Sequence, residues 1–215
     1  MVPVSADPRW AALKKKLKAS RNIIDLGCGN NPVQGAKVGV DFHLDAKERL
    51  LGLGPKVDIK EFKERGIEFV HTRIDGPLPF KDKQFDFAYS HHVFEHLDDP
   101  KTACQEMMRI ARSGVIITPS FFSEQIFGRS YHRWLVMDRG NCLFFFRKRP
   151  FEQTPFGPTR SNPFDMLLND GDWYDGQEGQ MPKLSKILQK HWYSHSPLIE
   201  VIFMWENEFE WKVFE

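Results

Sequence analysis

The sequence predicts an α/β domain built on a mostly parallel sheet. Three observations carry this. Short apolar runs alternate with helical stretches as far as Ser120. The first run, within IIDLGCGNNP (Ile23–Pro32), empties into a Gly-x-Gly turn, and the next run ends on Asp41.

The elements follow in chain order. Asp7-Pro8 reads as an N-cap with proline in the first helical turn. WAALKKKLKAS continues that helix and ends basic, as its dipole favours. Asn22 to Leu26 is a short buried strand, and Lys37 to Val40 a second that ends at Asp41. Val57 to Arg65 reads as a helix closed by Gly66. Ile67 to Ile74 is the third strand and Phe85 to Tyr89 the fourth. Lys101 to Arg112 is an amphipathic helix, and Val115 to Thr118 a fifth strand stopped by Pro119. Beyond Ser120, YHRWLVMDRGNCLFFFRK reads as a hairpin turning near Asp138 to Asn141. Arg149 to Pro182 is rich in Pro, Gly, Asp and Asn and reads as a long loop or lid. KLSKILQKHWY is a helix, and LIEVIFMWENEFEWKVFE two strands around Glu206-Asn207.

A chain of 215 residues suits one domain with an appendage. Thirty Lys and Arg against 29 Asp and Glu give a charge of +1, so nothing global points to a nucleic acid or membrane partner. The cysteines Cys28, Cys104 and Cys142 are dispersed and form no CxxC pair, which suggests neither a disulfide framework nor a zinc knuckle. The opening residues lack a basic-then-apolar signal layout and no run approaches a membrane span, so the expected location is intracellular, in the cytoplasm. Nineteen Phe and six Trp, many past residue 120, suggest either an apolar binding surface or a second core layer.

A strand that ends in a Gly-x-Gly turn offers free backbone N–H groups and close approach. In open α/β sheets ligands bind at the carboxyl ends of strands, where strand order reverses. A dinucleotide site would want G-x-G-x-x-G, but Gly27-Cys28-Gly29-Asn30-Asn31-Pro32 lacks the third glycine. Asp25, just before the turn, would repel a pyrophosphate and suit a ligand's ammonium group. Asp41, sixteen residues on, suits both hydroxyls of a ribose, and Phe42 could lie against a purine. The plain alternative for Asp41 is a strand-end cap.

DLGCG, GVD, IDGPLPFKDKQFDFAYSHHVFEHLDDP and QEMMRIARSG before VIITP, in that order, resemble the class I S-adenosylmethionine-dependent methyltransferases, in their methyltransferase-11-like branch. The resemblance covers roughly Arg21 to Ser120. It implies a Rossmann-like, seven-stranded, mostly parallel sheet with helices on both faces and an inserted hairpin and loop after the fifth strand. It implies S-adenosyl-L-methionine as cofactor and S-adenosyl-L-homocysteine as product. Asp25, Gly27, Cys28, Gly29 and Asn30 would line the methionine end, Asp41 would hold the ribose and Phe42 would flank the adenine. Asp75 would reach the adenine amino group with Ile74 beside it, and Ser90 and His91 would sit near the methyl group. Two features depart from the family: the Asp25–Asp41 segment is short, so the first helix is short or broken by Pro32, and Asp75 stands about one residue closer to LPF than usual.

His91, His92 and His96 fall in SHHVFEHL. If a helix begins near Val93, His92 and His96 share a face and could ligate a metal. No HExxH is present and the resemblance calls for no metal, so His96 reads as a packed histidine and no metal site is assigned. Methyl transfer is an in-line displacement in which alignment and exclusion of water dominate, and a base helps only if the nucleophile keeps its proton. His92, then His91, are the candidate bases for an oxygen or nitrogen acceptor.

The substrate side is expected in the insertion 121–182. Phe121, Phe122, Tyr131, His132, Arg133 and Trp134 mix aromatic faces with a fixed cation and could hold a sugar, an aromatic or a carboxylate. The alternative is that the aromatics cover the sheet and Arg133 stands in solvent. The domain reading is one methyltransferase domain over 1–215: a cofactor core at 21–120, the insertion, and a C-terminal helix and strand pair at 183–215. Leu198 to Phe214 is expected to supply the sheet's last two strands. Three functions compete: a methyltransferase for a small-molecule or glycan-like acceptor, a cofactor-binding regulator or partner subunit without transfer, and a nicotinamide-dependent dehydrogenase, which the missing glycine and Asp25 weigh against.

Overall fold

The computed structural model describes residues 7–44, 57–127, 132–148 and 199–215. The expected loop at Arg149–Pro182, the helix KLSKILQKHWY and Tyr131 lie outside the described residues. Among the described residues, no helix is long and apolar enough to cross a membrane.

Helix α1 (Pro8–Ala19) opens with the Asp7 side chain accepting from the Arg9 N–H at 2.9 Å, with proline in the first turn. Strands β1 (Ile23–Leu26) and β2 (Ala36–Asp41) follow, then helix α2 (Ile59–Glu64), capped by Asp58 and closed near Gly66 at φ +69°. Strands β3 (Glu68–His71) and β4 (Phe87–His91) come next. Helix α3 (Pro100–Ile110) is capped by Asp99, whose carboxylate accepts from the N–H groups of Lys101 and Thr102. Strand β5 (Ser113–Pro119) leads into helix α4 (Phe121–Phe127), a stretch to which the sequence pattern assigns no element. That hairpin is β6 (Trp134–Arg139) and β7 (Cys142–Arg147), and β8 (Glu200–Glu206) and β9 (Glu210–Phe214) complete the described chain.

The main sheet runs β3-β2-β1-β4-β5-β8, parallel except for antiparallel β8. It has six strands among the described residues, not seven. The expected C-terminal pair divides: β8 joins β5, while β9 pairs in parallel with β7 in a second, three-stranded sheet ordered β6-β7-β9. The reason lies in burial. Phe209 packs against Phe203 and Trp205 in the same core as Leu143, Phe145 and Trp134, so the chain after Asn207, at φ +61°, folds over this face instead of extending the edge.

Strand alternation sorts the apolar residues to two faces. Ile23, Phe87, Val115 and Ile202 face α1, where Leu13 is buried with Trp10 and Leu17 beside it. Ile24, Ala88, Ile116 and Phe203 face α3, which buries Ala103, Cys104, Met107 and Ile110, and the second sheet. The LPF loop is tied to α3 by Arg109, whose guanidinium donates to the carbonyls of Leu78 and Phe80, while the Glu106 carboxylate accepts from the Leu78 N–H.

No helix separates β1 from β2. Residues 27–35 cross between the two parallel strands as turns, so the first helix, expected short or broken by Pro32, is absent. The Val33 N–H donating to Asp25 Oδ2 at 2.7 Å fixes this crossover.

Candidate cofactor and active site

The strand order reverses between β1 and β4, and the candidate residues gather at their carboxyl ends. A cleft of about 810 Å³ runs from Asp25, Gly27, Tyr89 and His91 along the crossover to Lys37 and Ile67 at the amino ends of β2 and β3, and Asp41 and Phe42 are outside its lining. Gly27 has φ +80°, and a Cβ at this position would stand 2.2 Å from a Val93 methyl. Gly29 has φ +58°. At Gly27 the demand follows from bringing bare backbone against Val93 after β4, and at Gly29 the turn's positive φ goes with an N–H aimed at Asp41. Asn30 lies half-buried in the same turn, and Cys28 packs its side chain among Val57 and Phe62.

Asp25 is 3% exposed. Burial pushes its carboxyl up to about 7; the Val33 hydrogen bond works against the shift and the Asp41 charge adds to it. A buried carboxyl poised this way is unfavourable alone and gains from a cationic partner. Asp41 is also buried; its Oδ2 accepts from the Gly29 N–H at 2.8 Å and its Oδ1 from the His43 N–H at 3.0 Å. It therefore braces the turn.

The remaining expected cofactor residues divide. The Phe42 ring stacks on His71 with centroids 5.7 Å apart and carries the Arg73 guanidinium over it, yet stays 42% exposed. Ile74 is buried in the core. The Asp75 carboxylate is spent within the protein. It pairs with Arg73 through both oxygens and accepts from the Asp98 N–H, and these partners hold it ionised below the usual carboxylate range against the burial that would raise it. Ser90 is fully buried and donates its hydroxyl to the Leu26 carbonyl at 2.9 Å, which clamps β4 to β1.

His91 and His92 stack with ring centroids 4.3 Å apart. The Tyr89 hydroxyl lies 3.2 Å from His91 Nδ1. His92 adopts φ +55°, so its ring doubles back over its neighbour, with Nδ1 3.2 Å from Glu95 Oε1 and Nε2 3.5 Å from Glu200 Oε1. Burial opposes charge on this imidazole, but the hydrogen bonds to Glu200 and Glu95 outweigh it and push the ring up to about 10. Its side chain is 44% exposed, so solvent moderates that effect. Even so, two flanking carboxylates favour imidazolium, and the geometry argues against His92 as a proton acceptor near neutrality. Glu200 is held low, down to about 2, because the His91 and His92 imidazoles outweigh its burial. His96 falls in a single 3₁₀ turn, Phe94–His96, not the helix that would set it on one face with His92.

The expected substrate set does not stay together. Trp134 is 2% exposed and its indole N–H donates to the Leu97 carbonyl at 2.8 Å, so it belongs to the core. His132 is buried with Nδ1 2.5 Å from Glu124 Oε1. Arg133 pairs with Asp98 at the surface. Phe121 is exposed and meets Phe146 edge to face at 6.1 Å. Tyr89, Glu95, Glu124 and Glu200 were not singled out from the sequence. Glu95 adjoins His96 and carried a local signal, whereas Glu200 reaches His92 only through β8 and carried none.

Residues 24–118 match the family described as "Methyltransferase domain". An uncharacterized methyltransferase of Schizosaccharomyces pombe is 29% identical over 113 residues, covering 46% of this chain and 39% of that protein. The ajmaline N-methyltransferase of Rauvolfia serpentina is 31% identical over 108 residues, covering 46% of this chain and 35% of that protein. The chain thus matches less than half the length of these two curated relatives. Among solved structures, a SAM-dependent methyltransferase of Thermotoga maritima, described as a possible histamine N-methyltransferase, superposes with TM-score 0.36 at 22% identity, covering 60% of this chain and 58% of that one. Residues 24–118 are therefore similar to that methyltransferase family, and the parallel sheet they build has a Rossmann-like strand order. The cofactor of this domain class is S-adenosylmethionine.

Proposed function

We propose that the protein transfers a methyl group from S-adenosylmethionine to an oxygen or nitrogen of a small-molecule or glycan-like acceptor. One observation carries the reading: a buried carboxyl poised near 7 at the mouth of a strand, beside two glycines at positive φ, in a cleft that also holds His91. The residues fit the cofactor. Asp25 would take the ammonium, the Gly27–Gly29 backbone would lie along the methionine part, Asp41 would accept from the ribose and the exposed face of Phe42 would flank the adenine. Since the Asp75 carboxylate is spent on Arg73, its adenine contact in this reading falls to backbone groups at Ile74 and Asp75.

When bound, the cofactor supplies an electrophilic methyl on a sulfonium. The protein supplies alignment and exclusion of water. His91, oriented by the Tyr89 hydroxyl, is the better-placed proton acceptor, and His92 with Glu95 and Glu200 would present a fixed positive charge beside it. A regulator without transfer would have no need of His91 at the cleft with His92 stacked on it.

Calorimetry of S-adenosylmethionine and S-adenosylhomocysteine, with NADH as control, against wild type and Asp41→Ala tests the reading. Binding of the first two, weakened by the substitution, is expected. Absent binding, or binding of NADH alone, would overturn it.

A further inference from the structure

Beyond the His91–His92–Glu200 group, on the other side of Glu95, lies a second cluster. Glu95, His96 and His132 each bring a ligand atom to within 4.8 Å of the others. His96 Nε2 is 3.8 Å from Glu95 Oε1, and the His96 and His132 rings meet edge to face at 4.7 Å. Glu95 is 1% exposed, and its Oε2 has no hydrogen-bond partner among the described residues. A buried carboxylate oxygen in that condition is costly and requires a cause. A network serving only to anchor His92 would use Oε1 and leave no reason for Oε2 to be buried bare.

His132 carries the second signature. Its Nδ1 faces Glu124 Oε1, and the other Glu124 oxygen accepts from Lys148 Nζ at 3.1 Å. A carboxylate on one ring nitrogen fixes the tautomer of a metal-ligating histidine and directs Nε2 at the ion. The backbone holds the distant partner in place: the Arg133 N–H donates to the Glu95 carbonyl at 2.7 Å and the Trp134 indole to the Leu97 carbonyl. A site set by packed elements and second contacts of this kind is preorganised.

We propose that Glu95, His96 and His132 form a binding site for a divalent first-row transition cation. Two imidazoles and a carboxylate suit zinc, manganese or iron in the divalent state better than magnesium, which prefers oxygen ligands. Glu124 and Lys148 orient His132, and Glu95 Oε1 links the cation to His92. The inference does not rest on the methyl-transfer reading, because its readout is metal binding.

The full-length chain, stripped with chelator, is titrated with Zn²⁺ by calorimetry and with Mn²⁺ by electron paramagnetic resonance. One cation per chain is expected. His96→Ala and His132→Ala should each weaken binding by more than about 100-fold, and Glu124→Gln by about 10- to 100-fold. His96 is partly exposed, so its variant is expected to fold, which circular dichroism checks. Unchanged affinity in His96→Ala and His132→Ala overturns the site. So does loss confined to Glu200→Gln, which would move the cation to the His91–His92–Glu200 group.

Discussion

Asp25→Asn tests the central chemistry because it separates stability from function. In the folded chain the Asp25 carboxyl stands at about 7, against 3.8 when unperturbed. That difference corresponds to about 4 kcal/mol at about 1.4 kcal/mol per pKa unit. Between roughly pH 4 and 7 the folded protein keeps this proton and the unfolded chain has lost it. Stability therefore falls as pH rises through this window, by about 1.4 kcal/mol per unit from this group alone. Asparagine removes that slope and can still accept from the Val33 N–H. Urea denaturation at pH 5.5, 6.5 and 7.5, without cofactor, should show Asp25→Asn gaining on wild type by about 2 kcal/mol across the range. Cofactor binding should move the other way. Loss of a charge-assisted contact worth about 1.5–3 kcal/mol weakens S-adenosylmethionine by roughly 10- to 150-fold at pH 8. Wild-type affinity should rise with pH up to about 7, and the variant's should stay flat. Parallel stability curves would show that Asp25 is not a strained buried acid. Unchanged affinity would show that it does not receive the ammonium.

Gly27→Ala should lower stability by about 2–4 kcal/mol and abolish measurable cofactor binding, since it combines a strained φ with a clash against Val93; thermal melting and calorimetry read the two effects. Trp134→Phe should cost about 1–3 kcal/mol through the orphaned Leu97 carbonyl and leave the acceptor KM unchanged, while a raised KM at unchanged stability would return Trp134 to the substrate side. At pH 7.5, His91→Gln should cut kcat by about 10²-fold and His92→Gln by less than 10-fold; the reverse order would restore His92 as the base.

The strand-by-strand plan was legible because the central runs of β1, β4 and β5 are buried on both sides, and a parallel sheet leaves that mark in sequence. The Asp25–Gly29 turn and Asp41 were legible for a different reason: at Gly27 positive φ combined with close approach to Val93 favours glycine, and a carboxylate at a strand mouth needs a partner. Local pattern determined these features without reference to the rest of the chain. It could not determine the crossover at 27–35, because Pro32 marks only where a helix fails, not what replaces it. Nor could it show that Ser90 and Trp134 are consumed by the Leu26 and Leu97 carbonyls, which are distant in sequence, or that Asp75, beside its near neighbour Arg73, also takes the distant Asp98 N–H. The split of the C-terminal strands, the carboxylates around His92 and the meeting of Glu95 with His132 all depend on β8 pairing with β5 and on the start of β6 packing over the turn after β4. Burial and charge pairing are properties of neighbours in space, and only the tertiary structure decides who those neighbours are.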